Sequence, residues 1–411
     1  MTGLPAGAGS DGRGRRKRDR PGVWVAVLIL AHLVLGLMYD QATPIFEAPD
    51  EGTHYAVIDW LAAGYGLPVQ NPLGPRTLWA QEGSQPPLYY WLASRLVAWV
   101  PERNLDSAYV QNPLSRIGIP GTAHNANLYR HPLERPPLQG VELAVRLVRW
   151  FSLALGALTI YLTWRLAELV FPGQTVLALL AAALVAFNPM VLFINASVNN
   201  DNLLMLLSSA SLVAIVVFMR PRVPQYGWKA LVLGLLLGLA ALTKVSGLVL
   251  WPVAAVGVAW GAIRGRDWRR FLMAGLIIAA AAVLVSGWWY WRNQQLYGEW
   301  LGLNTMVAMA GPRALTIHLV DLLRTEWYGF FLSYWGVFGV FTILPADWVF
   351  GFYFILTLWS GLGWLQTLLR RPLRLTPEVL LLVVFIILTL VGIVNWTLQT
   401  LASQGRLMFG A

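Results

Sequence analysis

Long apolar runs constrain this chain more than any other feature. A bilayer core about 30 Å thick is crossed by roughly 20 apolar residues in a helix, and such a segment must satisfy its own backbone hydrogen bonds. The candidate runs are Val23–Tyr39, Val141–Phe171, Thr175–Pro189, Asn202–Met219, Trp228–Leu242, Gly247–Ile263, Phe271–Tyr290, Val349–Leu369 and Val379–Trp396. Of the 411 residues, 57% are hydrophobic and 12% charged, where soluble domains carry about 25% charged residues. The expected fold class is all-α, a polytopic membrane protein with about nine transmembrane helices. There is no cysteine, which excludes a disulfide framework, a thiolate metal site and a cysteine nucleophile.

The formal charge of +10 reads as membrane topology, with no nucleic-acid partner implied. Residues 1–22 form a Gly-rich basic tail with Arg13, Arg15, Arg16, Lys17, Arg18 and Arg20. No Ala-x-Ala site follows the first run, which continues Met38-Tyr39-Asp40-Gln41. That run is expected to stay uncleaved with a cytoplasmic N-terminus. Three short loops carry Arg220, Arg222 and Lys229, then Arg264, Arg266, Arg269 and Arg270, then Arg370, Arg371 and Arg374. All three fall on the cytoplasmic side if the nine runs are the only spans. Leu332–Leu344, short and aromatic, is then expected to be interfacial or re-entrant. The opposite face receives residues 40–140, 188–201, 243–246, 291–348 and 399–411. Residues 23–411 read as one membrane domain with outer loops 40–140 and 291–348, multi-pass in the plasma (inner) membrane.

Directly after the first run comes Phe46-Glu47-Ala48-Pro49-Asp50-Glu51-Gly52-Thr53-His54-Tyr55. Charges at a membrane boundary are costly unless something uses them. Pro49 suits a first helical turn, and Asp50 and Glu51 are favoured there by the helix dipole. Asp50 and His54, four apart, share a helix face, with Glu51 and Tyr55 on the neighbouring one. The segment reads as the catalytic acidic stretch of an integral membrane transferase, or as an ordinary acidic helix start. Further on stands Gln81-Glu82-Gly83-Ser84-Gln85-Pro86-Pro87-Leu88-Tyr89-Tyr90-Trp91. Its two prolines end one helix and open the next. The loop is therefore expected to hold two interfacial helices, Pro49–Ala63 and Pro87–Val100. Val110–Gln139, with His124 and His131, shows no periodicity. Glu51-x-x-His54 has a spacing used in carboxylate metal sites. A hydrogen-bonding or substrate-facing histidine is the other reading, and a divalent metal is left open.

The order of these segments resembles the glycosyltransferase-C superfamily, in the branch of protein O-mannosyltransferases and lipid A aminoarabinose transferases. Asn188-Pro189 with Ser197-Val198-Asn199-Asn200-Asp201, Gly238–Lys244, Trp288-Trp289-Tyr290-Trp291-Arg292-Asn293 with Tyr297-Gly298, and Gln404-Gly405-Arg406 extend the resemblance over nearly the whole chain. It implies transfer of a sugar, with inversion, from a polyprenyl-phosphate donor to an acceptor (protein, lipid or glycan) on the outer face. Asp50 is the candidate general base, with Glu51 orienting it or accepting from a sugar hydroxyl. Substrate-facing candidates are His54, Tyr55, Glu82, Gln85, Tyr89, Asp201, Lys244, Arg292, Asn293 and Arg406. Lys244, Arg292 and Arg406 would meet the lipid phosphate, or else snorkel to headgroups among the membrane lipids. Asp201 either caps a helix or walls the site. Asp50 is expected to face a cavity with Lys244, Arg292 or Arg406 on its wall. Aminoarabinose transferases tend to carry a Lys where Gln85 stands, so no aminoarabinose donor is assigned. The chain stops at Ala411 as another apolar run begins, and family members usually continue, so a longer reading frame is expected. The competing reading is a transporter or flippase, whose inverted repeats and broken midplane helices are not apparent here.

Overall fold

The computed structural model describes residues 21–118, 127–131, 137–370 and 375–410. The tail up to Arg20, His124, Gly121, Arg371, Arg374 and Ala411 lie outside them. The first long helix is α1 (Pro21–Ala42), followed by the short α2 (Glu51–Ala62), α3 (Leu88–Val97) and α4 (Leu105–Ala108). A helical bundle follows: α5 (Gly140–Val170), α6 (Thr175–Phe187), α7 (Pro189–Asn195), α8 (Asp201–Phe218), α9 (Tyr226–Thr243), α10 (Leu250–Gly265) and α11 (Trp268–Tyr297). Three short helices, α12 (Leu303–Ala310), α13 (Leu319–Thr325) and α14 (Trp327–Trp335), lead to the long α15 (Asp347–Leu369) and α16 (Pro377–Gln399). Tight 3-10 turns at Ala80–Ser84, Val245–Val249 and Gly405–Gly410 complete the described elements. Among the described residues, eight helices are long and apolar enough to cross a membrane, or nine if the bent pair α6–α7 counts as one. The protein is an all-α polytopic membrane protein.

The bend corrects one expectation. Thr175–Pro189 reads as a single short span, but α7 turns away from α6 by 61°. The cause is local. Pro189 has no N–H to continue α6, and the Asn188 side chain instead accepts hydrogen bonds from Met190 N (2.9 Å) and Val191 N (3.2 Å), starting a new helix. His32 of α1 holds the bend through Ala186 O (2.9 Å) and the Asn195 amide (3.1 Å). The run Phe271–Tyr290 also extends, at both ends, into the 30-residue α11. The Asp267 carboxylate caps its start by accepting from Arg270 N. Leu332–Leu344 forms the end of α14 and then a turn closed by a Phe338–Ile343 bridge. Nine helical residues are too few to cross about 30 Å at 1.5 Å per residue.

Small residues set the spacing of the bundle. α9 lies along α11. A Cβ on Gly234 would come 2.6 Å from Ile278 O, and one on Gly238 would come 2.9 Å from Ala282 O. This Gly-x-x-x-Gly face lets two backbones approach as membrane helices do. α5 packs against α6 and α8. The segments expected on one face meet at one end of the bundle. Val198 N, after α7, reaches α2, Lys244 reaches Asp201, Arg313 N reaches Gln399 O, and Arg406 reaches Asp50. At the other end Arg270 donates to the carbonyls of Phe218, Arg220 and Pro221.

Candidate active site at the loop end of the bundle

The loop from Thr43 to Glu51 is pinned from below by α5. The Glu51 carboxylate is fully buried and accepts from Arg149 Nε (2.8 Å) and Nη2 (2.6 Å), from Phe46 N (2.8 Å) and from Val198 N (2.9 Å). Arg149 also donates to the carbonyls of Thr43 (2.7 Å) and Pro44 (3.0 Å) and to Asp40 Oδ1 (3.2 Å). Arg146 pairs with the same Asp40 carboxylate at 2.7 Å. Two buried anions thus meet two buried cations, and the remaining acceptors are backbone carbonyls, the condition under which buried charge is tolerated. Glu47 is spent on the far side, accepting from Leu128 N, Tyr129 N and His131 Nε2.

This clamp lifts Asp50 to the tip. Asp50 caps α2 in the left-handed region, at φ 61°, a conformation Asp adopts at little cost. Phe46, at φ 67°, pays more because it is bulky, and the Glu51 carboxylate bonded to its N–H offsets that strain. The Asp50 side chain stays 36% exposed, and its Oδ2 accepts from Arg406 Nη2 at 2.5 Å. Burial acts to push the Asp50 carboxyl up, but Arg406, then His54 and Lys244, hold it below the ordinary carboxylate value. Arg406 itself is 4% exposed, with Nε bonded to Gln404 Oε1 (2.7 Å) and its guanidinium over the Phe341 ring. The Gln-Gly-Arg order has a steric reason. Gly405 N donates to Ser333 Oγ, and a Cβ on Gly405 would lie 2.2 Å from Phe330 O.

Two further assemblies stand by Asp50. Lys244 Nζ meets Asp201 Oδ1 at 2.6 Å. His54 Nδ1 lies 2.8 Å from Tyr90 Oη, which donates to Glu82 Oε2 at 3.2 Å. Burial and the Glu82 charge keep the Tyr90 phenol protonated. Its one proton faces Glu82, so His54 Nδ1 donates to Tyr90 Oη. The buried Gln85 lies in the same turn, its N–H bonded to Glu82 O.

Several expected site residues are elsewhere. Glu51 accepts from four donors and clamps its loop to α5. Tyr55 is a fully buried core residue with its ring 5.6 Å from that of Phe46. Tyr89 is also core, its hydroxyl tied to Ser152 Oγ (2.9 Å) and Asn199 N (3.2 Å). Arg292 donates to Pro68 O (2.7 Å) and Leu67 O (3.4 Å) and stacks on Trp289, and Asn293 donates to Trp300 O. Both brace loops through these backbone carbonyls. Cavities of about 480 and 220 Å³ lie beside this end of the bundle, and neither has Asp50 on its wall. Among the described residues no three His, Asp or Glu side chains converge to hold a metal ion. Sequence reasoning missed Arg146, Arg149 and Asp40. Two arginines three apart inside an apolar run demand buried partners, and that signal was available.

Residues 142–291 match the family described as dolichyl-phosphate-mannose-protein mannosyltransferase. The matched part holds Arg149, Asp201 and Lys244 but not Asp50 or Arg406. No curated protein matches the sequence significantly. The fold is similar to that of the Archaeoglobus fulgidus oligosaccharyltransferase in its apo form, with a TM-score of 0.50 and 13% identity over 94% of this chain and 48% of that one. A weaker likeness, at TM-score 0.44 and 17% identity, links 67% of this chain to 34% of a chain in the Saccharomyces cerevisiae protein O-mannosyltransferase complex bound to the sugar donor. The chain thus spans about half the length of the archaeal protein and a third of the yeast one. The chain is thus a polytopic membrane protein that is similar over residues 142–291 to the mannosyltransferase family and shares the helical fold of the archaeal oligosaccharyltransferase.

Proposed function

We propose that the chain is a membrane glycosyltransferase that moves a sugar from a polyprenyl-phosphate donor to a hydroxyl acceptor at the loop end of the bundle, on the extracytoplasmic face. The observation that carries this reading is the Asp50–Arg406 pair, a part-exposed carboxylate at 2.5 Å from a guanidinium. One group suits a hydroxyl proton and the other a phosphate. The matched family's description, which names a dolichyl-phosphate sugar donor, supports the donor class.

The step needs few parts. The acceptor O–H breaks and its proton passes to Asp50. The acceptor oxygen forms a bond to the anomeric carbon from the face opposite the phosphate, inverting that centre. The carbon–phosphate oxygen bond breaks, its electron pair leaving with the polyprenyl phosphate. Arg406 stabilises that departing charge, with Lys244 as a second cation near Asp50. His54, held by Tyr90 and Glu82, turns its other ring nitrogen to substrate hydroxyls. Glu51 and Arg149 hold the loop so that Asp50 need not be ordered at the moment of reaction.

The test is Asp50→Asn in membranes supplied with a panel of radiolabelled polyprenyl-phosphate sugars. One donor should be consumed by the wild type, and turnover should fall about 10²–10⁴-fold in the variant, the usual contribution of a positioned base. A well-folded Asp50→Asn protein with normal turnover would remove Asp50 as the base.

A further inference from the structure

The proposed base and the proposed phosphate ligand are bonded to each other. Asp50 Oδ2 and Arg406 Nη2 are 2.5 Å apart, closer than an ordinary hydrogen bond between neutral groups. A carboxylate held this way is a weaker base, because the adjacent guanidinium lowers its proton affinity. A guanidinium held this way is a poor anion site, because a phosphate must displace the carboxylate. Each group, as it stands, is hindered in the work assigned to it.

The arrangement also shows where an exchange of partners can occur. Arg406 is anchored without Asp50. Its Nε donates to Gln404 Oε1, its face lies on Phe341, and Gly405 is seated under α14 by the Ser333 hydroxyl. Asp50 is anchored without Arg406, through the adjacent Glu51 clamp and the start of α2. The contact between the two tips is the polar link that joins the rims. It is the exposed part of the assembly, since the Asp50 side chain is 36% open while Glu51 and Arg149 are at 0%. Separating the tips disturbs neither anchor.

We infer that Asp50 and the donor's phosphate compete for the Arg406 guanidinium, so that donor binding itself releases the base. This rests on the reading of Asp50 as the base. In the unloaded protein Arg406 keeps Asp50 ionised but occupied. A phosphodiester arriving at the membrane boundary takes the guanidinium in a bidentate fork. The freed carboxylate loses the cation that depressed its proton affinity and becomes a stronger base beside the sugar it must serve. After transfer, departure of the polyprenyl phosphate returns Arg406 to Asp50, once the proton has passed on. Arg406 is thus a positioning residue that ties activation of the base to the presence of the donor.

The experiment is a binding cycle on the purified full chain in detergent, titrated with decaprenyl phosphate and separately with inorganic phosphate. Asp50→Asn removes the competitor, so decaprenyl phosphate should bind about tenfold more tightly, the change that about 1.4 kcal/mol produces. A nearby anion repels phosphate even without touching Arg406, so the same substitution is repeated in an Arg406→Gln background. Exchange at Arg406 predicts that the gain disappears there. A gain that persists in that background, or no gain in the single variant, overturns the inference. Asp201→Asn, which removes a carboxylate paired to Lys244 instead, should not reproduce a gain that depends on Arg406. A tightening seen with inorganic phosphate as well assigns the effect to the headgroup. A tightening confined to decaprenyl phosphate still supports exchange but requires the lipid to deliver it. The outcome separates from that of the parent reading. Lost turnover in Asp50→Asn without tighter binding rejects only the exchange, while retained turnover with tighter binding rejects only the base.

Discussion

Replacing Glu51 by Gln should unfold the protein rather than disarm it. Glu51 is fully buried, and each carboxylate oxygen accepts one bond from Arg149 and one from a backbone N–H. Gln keeps the shape but removes the charge and turns one acceptor into a donor. That donor would then face an N–H of Arg149 together with the N–H of Phe46 or Val198. Breaking a buried ion pair from one side costs about 3–5 kcal/mol, a large share of a total stability near 5–15 kcal/mol. The assay is thermal unfolding of the purified chain in detergent, for Glu51→Gln, Arg149→Met and the double variant. The double variant leaves Asp40 with Arg146 and restores neutrality, so it should be less destabilised than the two single losses added together. Coupling energies for such pairs run to about 0.5–3 kcal/mol. A Glu51→Gln protein with wild-type unfolding and lost turnover would refute this reasoning and return Glu51 to the chemistry.

Three further outcomes follow from the same geometry. Asp50 is held below the ordinary value of 3.8, so the base form survives until pH falls through that lowered value. Removing Arg406, the strongest lowering influence, leaves burial, which raises it. The acid limb of the pH–rate profile should therefore move to higher pH in Arg406→Gln, and an unmoved limb would mean that another group titrates. Gly405→Ala puts a Cβ 2.2 Å from Phe330 O and shifts Arg406. Overpacking of this kind costs about 1–3 kcal/mol, and turnover should fall with it, whereas wild-type turnover would show that the seat is not needed. Arg292→Ala should speed protease cutting near Leu67 and Pro68, whose carbonyls it holds, while leaving donor affinity unchanged. Weaker donor binding with an unchanged cleavage rate would put Arg292 back among the phosphate ligands.

The helices were legible because the solvent is simple. A backbone in hydrocarbon must be helical, so runs such as Val379–Trp396 map directly onto elements such as α16. The bend at Asn188-Pro189 was written in the residues but depends on capping geometry, which hydropathy does not see. The site was half legible. Asp50, His54, Glu82, Asp201, Lys244 and Arg406 do gather at one end. Glu51 was misread because adjacency to Asp50 says nothing about the opposite face of a helix start, where Arg149 waits 98 residues later. Tyr55, Tyr89, Arg292 and Asn293 failed in the same way. Each sits in a segment that carries the resemblance, and each is used for packing or bracing that segment.

These misplacements share a physical origin. A cation at the boundary of a low-dielectric region takes the best acceptor within reach, since an unpaired charge there is costly. For Arg292 the acceptors are carbonyls of its own fold, for Arg149 a buried carboxylate, for Lys244 Asp201, and for Arg406 Asp50. What separates a substrate cation from a structural one is therefore whether its partner can be given up. Arg149 cannot release Glu51 without stranding buried charge. In the proposed exchange Arg406 can release Asp50 because that carboxylate is part-exposed. Exchangeability depends on the exposure of the partner, which no stretch of sequence around the cation records.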